Sequence, residues 1–123
     1  MAIHNDFGKK AEDLAAEYLQ KNGYKILERN FRSQKAEIDI IAEKDDLLAI
    51  IEVKARSTDA FILPQEAVNK KKIRLIISAA NKYLEISDRN NEVRFDIISV
   101  LPDETGNLKI EHITDAFESF DMN

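Results

Sequence analysis

The stretch from Ala36 to Arg56, AEIDIIAEKDDLLAIIEVKAR, constrains the fold more than any other part of the chain. It carries two alternating apolar runs joined by an acidic turn, the pattern of a β-hairpin. Glu37, Asp39 and Ile41 alternate with Ile38, Ile40 and Ala42 along the first run. Leu48, Ile50, Glu52 and Lys54 alternate with Leu47, Ala49, Ile51 and Val53 along the second. The turn falls at Lys44-Asp45-Asp46-Leu47, where Asp tolerates the backbone angles of a tight hairpin. A loop of two or four residues centred there sets Asp39 opposite Glu52 and Glu37 opposite Lys54, with all four side chains on one face. Two carboxylates side by side across a strand pair repel, so they call for a cation, a shared proton or open solvent. A divalent metal with a nearby lysine is the sharpest explanation; the plainer one is a salt-bridge ladder on an exposed edge.

The second run is apolar on both faces from Leu47 to Ile51, as in a central strand covered on each side. Before the hairpin, Phe7, Ala11, Leu14, Ala15, Tyr18 and Leu19 recur at helical spacing, with Asn5 or Asp6 as N-cap and Asn22-Gly23 as stop. Glu12 lies at the edge of that stripe, in line with Ala15 and Leu19. It either faces a site on the sheet or keeps its head in water. Tyr24 to Arg32 is a strand with an irregularity near Asn30. After the hairpin, Ser57 to Leu63 reads as a loop, either a flap beside the site or an ordinary connection. Pro64 suits the first turn of a helix and Asn69 caps one starting at Lys70, with Ile73, Ile76, Ile77, Ala80 and Leu84 on its buried stripe. Lys72 sits at the boundary of that stripe, within reach of the hairpin. Glu92 to Leu101 is a further strand, Leu108 to Ile113 another, and Thr114 caps a last short helix holding Ala116, Phe117 and Phe120. The whole of residues 1–123 is read as one α/β domain, a mixed central sheet flanked by helices.

Charge bears on the partner. The formal net charge is −5, and from Leu101 onward six acids face Lys109 alone, so the first hundred residues are neutral overall. Within them, Lys21, Lys25, Arg29, Arg32 and Lys35 precede the hairpin, while Lys70, Lys71, Lys72 and Arg74 follow it. Each group is either a solvated face or a phosphate-contacting one. The absence of cysteine excludes disulfides and thiolate metal sites and suits a reducing cytoplasm. No apolar run is long enough for a membrane span, and no secretory leader is indicated.

Asp39 and Glu52, with Glu12 as a third acid, offer oxygen ligands only, which suit a hard cation such as Mg²⁺. Lys54, two residues from Glu52 on the same face, adds a compact positive charge that can hold a water or a phosphate, and the neighbouring carboxylates are expected to keep it protonated. Phosphodiester hydrolysis fits that set. No Gly-rich phosphate loop or nucleophile elbow competes. His4 and His112 have no second histidine at ligand spacing and read as solvent-facing or structural.

Asp39 with Glu52-Val53-Lys54, on an order of helix, three strands, helix, strand, looks like the PD-(D/E)XK nuclease superfamily and its restriction-endonuclease-like fold. More narrowly, the chain resembles the YraN-like family of uncharacterised bacterial proteins, predicted endonucleases related to archaeal Holliday junction resolvases. The resemblance runs through AEDLAAEYLQKNGYKILERNFR, AEIDIIA, IEVKAR, AVNKKKIRLIISAANKYL and RFDIISV. It implies that Asp39, Glu52 and Glu12 join a Mg²⁺ site that Mn²⁺ can also fill, and that Lys54 is the catalytic lysine. Arg56, Lys72, Arg94 and Asp96 match further family positions. The implied substrate is DNA, branched or otherwise structured, contacted by Arg56, Lys72, Lys70 and Arg32. A homodimer is also implied, because a four-way junction needs two symmetric cuts. A binding or interaction module that keeps the nuclease fold without turnover is the alternative. Ala11 and Ala36 stand where the family usually has Gly, and Ile38 stands where the superfamily has Pro.

Overall fold

The computed structural model describes residues 2–56 and 69–117. Helix α1 (Ala2–Lys21) is followed by strands β1 (Lys25–Ser33), β2 (Ala36–Lys44) and β3 (Leu47–Ala55), helix α2 (Lys70–Ser87), and strands β4 (Glu92–Pro102) and β5 (Leu108–Phe117). The strands form one sheet in the order β1-β2-β3-β4-β5. The β3–β4 pair is parallel and the other three pairs are antiparallel. This α-β-β-β-α-β-β arrangement is compatible with a restriction-endonuclease-like fold, with β5 added to the expected core order. Neither helix is long and apolar enough to cross a membrane.

Each helix covers one face of the sheet. Helix α1 contributes Ala11, Ala15, Ala16 and Leu19 to a core with Ile40, Ala42, Ala49, Ile51, Ile98 and Val100. Three of its four buried residues are alanines, so it presents a shallow surface to the strands. Helix α2 packs Ile73, Ile76, Ile77, Ala79, Ala80 and Tyr83 against Ile38, Ile41, Leu48, Ile50 and Ile97. Each isoleucine removed from water there stabilises the fold by about 1.5–3 kcal/mol. Between the layers, Leu48, Ala49, Ile50 and Ile51 are all buried, which is why the second run of the hairpin does not alternate.

Local chemistry sets the element ends. Helix α1 stops where Gly23 takes φ +90°. The Tyr24 N–H then donates to the Leu19 carbonyl at 2.9 Å, and the Gly23 N–H to Gln20 at 3.2 Å, satisfying carbonyls that the helix leaves open. At its start the helix runs past Asn5 and Asp6 to Ala2, so neither is the boundary expected from sequence. Asp45 and Asp46 have φ of 51° and 67°, the left-handed pair of a two-residue hairpin turn. The register follows directly, with Lys44 paired to Leu47 and Ile40 to Ile51. Asn69 caps α2 as expected, its side chain accepting the Lys72 backbone N–H at 2.9 Å.

One element differs from expectation. Thr114 caps no helix; β5 continues to Phe117. Asp115 adopts φ 55° there, and the β4–β5 register shifts between Phe95 and Ile97. The Phe117 ring stacks on Phe95 at 5.2 Å, and the Asp115 N–H donates to Asp96 at 3.0 Å. These tertiary contacts outweigh the local capping preference. Phe120, the Ser57 to Leu63 loop and Pro64 lie outside the described residues.

Candidate metal and phosphate site

The site lies where β2 and β3 part. Their ladder is paired from Lys44–Leu47 to Ile40–Ile51. One step further, Asp39 takes up the strand itself: its carboxylate accepts the Val53 backbone N–H at 2.7 Å. Glu52, opposite Asp39 by the same count, is a buried charge with 7 % of its side chain exposed. Lys54 Nζ approaches Glu52 Oε2 at 3.2 Å, and Lys72, from the first turn of α2, contacts the same oxygen. Glu37, Asp39, Glu52 and Lys72 line a cavity of about 220 Å³ whose apolar walls include Leu75 and Ile76.

The electrostatics follow from burial and crowding. Burial, then the negative charge of Glu52, push the Asp39 carboxyl up to about 8, against the pull of the Val53 N–H, with Glu12 adding to the rise. Burial alone would raise Glu52 too, but its contacts with Lys72, Asp39 and Lys54 hold it below the ordinary glutamate value. Burial and mutual repulsion thus favour a proton on the pair, and the two lysines on Glu52 favour Asp39 as its place. Burial works against the Lys72 ammonium, yet its bond to Glu52 carries the group above the ordinary lysine value. Lys54 shifts the other way: burial first, then the neighbouring Lys72, lower it despite Glu52. Glu52 favours the charged lysine as expected, but burial and Lys72 oppose it. A second ammonium on the same oxygen was not visible in the spacing of the hairpin.

Asp39, Glu52, Lys54 and Lys72 are thus brought together. Glu12 lies 3.6 Å from Arg29, which also binds Asp13 at 2.8 Å. Among the described residues, no three His, Cys, Asp or Glu side chains converge as ready-made metal ligands. The donor set that does form is a carboxylate pair. Its all-oxygen chemistry fits a hard cation that keeps several waters. Ala11 and Ala36, where the family usually has Gly, are buried in the α1-side and α2-side cores, so both methyl groups are accommodated by packing. Of the residues expected to meet DNA, Lys70 is exposed at the start of α2. Arg32 is exposed and bound to Glu37 at 3.0 Å. Arg56 follows β3, its backbone N–H on the Val100 carbonyl at 2.9 Å.

A second polar cluster lies on the α1 face. The fully buried Asp96 carboxylate accepts Arg94 Nε and Nη2, each at 2.8 Å, and the Asp115 N–H at 3.0 Å, with His112 Nε2 also at 2.8 Å. Tyr18 Oη meets His112 Nδ1 at 3.0 Å, and Arg94 donates to Tyr24 Oη at 2.6 Å. His112 is therefore structural and largely buried, not solvent-facing. The clue in the sequence was the Arg94-Phe95-Asp96 alternation, two opposite charges on one face of β4, both at positions that match the family.

Residues 11–100 match the family described as Uncharacterised protein family UPF0102. A UPF0102 protein of Flavobacterium psychrophilum is 53 % identical over 98 % of this chain and 100 % of its own length. One from Bacteroides fragilis is 48 % identical over 95 % and 96 %, and one from Clostridium beijerinckii 50 % identical over 94 % and 95 %. The solved structure of Pyrococcus furiosus SfsA in complex with Ca²⁺ aligns with 89 % of this chain and 63 % of its own at 13 % identity. Its TM-score of 0.38 is too low to carry an argument.

Proposed function

We propose that this chain, which belongs to the UPF0102 (YraN-like) family, is a metal-dependent endonuclease that hydrolyses phosphodiester bonds in DNA. The observation that carries the reading is the Asp39–Glu52 pair, two carboxylates held together at the end of a strand pair with two lysines on one of them. A bound Mg²⁺ or Mn²⁺ would make a coordinated water more acidic and offset charge building on the scissile phosphate. Asp39 and Glu52 would hold that ion. The Val53 N–H fixes the Asp39 carboxylate before any ligand arrives, so little reordering is needed on binding. Glu52 orients the Lys54 ammonium, which stands ready to hold an attacking water or a phosphate oxygen. Glu12 joins through its charge on Asp39. Lys70, Arg32 and Arg56 are the flanking groups proposed to meet the DNA backbone. The specific substrate proposed is branched DNA, cut by a homodimer in the cytoplasm.

The test incubates labelled four-way junction and linear duplex with the protein in Mg²⁺, in Mn²⁺ and in chelator. Cutting should require the metal, and Asp39→Asn and Lys54→Ala should each lower the rate by roughly a hundredfold or more, the scale of losing a group that stabilises transition-state charge. Equal cutting by the two variants would remove the site assignment. DNA bound but never cut would favour a binding or interaction module on the same fold, the alternative that the low positive charge favours somewhat.

A further inference from the structure

Glu52 meets two ammonium groups at one oxygen, and the two are held differently. Lys54 leaves the same strand two residues on, with 26 % of its side chain exposed. Lys72 comes from another element and is 40 % exposed. Its origin is well fixed. Asn69 accepts the Lys72 backbone N–H, and the buried Ile73 and Ile76 set the rotation of α2 on the sheet. The head is less constrained: a flexible four-carbon stem at the cavity mouth can turn into solvent without moving the helix. A cation seated between Asp39 and Glu52 needs lone pairs on Glu52 that Lys72 now engages, and two positive charges cannot share that space without repulsion.

We propose that Lys72 is the resident cation of the site: it compensates Glu52 while no metal is bound and leaves that oxygen when a divalent ion binds, so that α2 sets the metal affinity of the hairpin. The inference rests on the metal-site reading above and deepens it. It makes Lys72 a positioning residue with two stations, one on Glu52 and one at the cavity mouth. In the second its amine is available to an anionic ligand at the moment the metal is in place. The metal-free site is held together by the same lysine, since burying the Asp39–Glu52 pair with Lys54 alone leaves less compensating charge.

The experiment is calorimetric titration of Mn²⁺ into the full chain at near-neutral pH and physiological salt, for the wild type, Lys72→Met and Lys71→Met. Methionine keeps the apolar stem and the backbone cap while removing the charge. Lys71 is the exposed neighbour on the same turn and reports the effect of net charge alone. The expected result is a Kd for Mn²⁺ roughly tenfold lower in Lys72→Met, with Lys71→Met within about twofold of wild type. If Lys72→Met is unstable, Lys72→Gln serves in its place, and the same comparison applies. Wild-type metal binding with Lys72→Met unchanged or weaker overturns the inference and leaves the metal site standing. No binding by any of the three proteins at millimolar Mn²⁺ overturns the metal-site reading, and the inference with it.

Discussion

Replacing Asp96 with asparagine isolates the largest buried electrostatic element outside the site. The carboxylate is fully buried and accepts four hydrogen bonds, two from Arg94, one from His112 and one from the Asp115 backbone. Asparagine preserves the shape but removes the charge and turns an acceptor into an NH₂ donor, which then faces a donor already in place. Arg94, 22 % exposed, keeps its charge with the opposing carboxylate gone. Breaking a buried pair from one side costs about 3–5 kcal/mol. Residual solvent access at Arg94 argues for the lower half, about 3–4 kcal/mol. For a chain of this size that lowers Tm by roughly 10–20 °C. Urea unfolding followed by circular dichroism measures the difference, and a loss below about 1 kcal/mol would refute the reasoning. Acid supplies an independent check on sign. Despite burial, which would raise it, the bonds from His112, Arg94 and Asp115 hold the Asp96 carboxyl below its ordinary value of 3.8. A depressed carboxylate contributes stability that is present above the unfolded value and lost as pH falls through the folded one. The gap between wild type and Asp96→Asn should therefore stay constant from neutrality down to about pH 5 and close only at pH below 3.8.

Two smaller changes test other features. The Ser99 hydroxyl is buried and has no hydrogen-bond partner among the described residues, so Ser99→Ala should leave urea stability unchanged or raise it by up to about 1 kcal/mol; a loss above about 1 kcal/mol would show a partner that the structure lacks. Asn30 is exposed at φ 55°, so Asn30→Gly should be close to neutral, whereas Asn30→Val should cost about 1–2 kcal/mol in the same assay; equal stabilities would mean that the left-handed backbone is not imposed there.

The parts of this molecule legible in its sequence are those decided locally. Asp45-Asp46 fixed a two-residue turn, and with it the register that faces Asp39 with Glu52. Asn69 fixed the start of α2, and the position of Lys72 on the edge of its stripe was enough to suggest reach toward the hairpin. The unbroken apolar run from Leu47 to Ile51 announced a strand covered on both faces. What was not legible depends on partners distant in the chain. Thr114 has the local chemistry of a cap, and only Phe95 and Asp96, some twenty residues earlier, keep that segment extended. His112 looked unaccompanied because Tyr18 and Asp96 reach it from α1 and β4. The direction of the Lys54 shift needed burial and the Lys72 ammonium, neither of which appears in the tripeptide Glu52-Val53-Lys54.

The site itself depends on an irregularity that alternation could not reveal. A strictly alternating β2 would place Ile38 beside Ile40 on the α1 face. Instead Ile38 packs with Ile41 in the α2-side core while Ile40 packs under α1. The strand turns over between them, at Asp39. Across the ladder, Arg29 pairs with Ile40 and Phe31 with Ile38, so the residue facing Asp39 is Asn30, the left-handed position of β1. Asparagine adopts that conformation at little cost, which lets β1 follow the turn in β2 without losing pairing on either side. With the backbone rotated, the Asp39 carboxylate falls into the seam opened between β2 and β3 and takes the Val53 N–H that a ladder carbonyl would otherwise accept. The carboxylate pair is therefore a product of strand geometry as much as of residue type. In a regular hairpin Asp39 and Glu52 would already share the α2-covered face of Ile41 and Ile50. The turn in β2 adds the Val53 N–H to Asp39, while Glu52 draws Lys54 and Lys72 to a single oxygen.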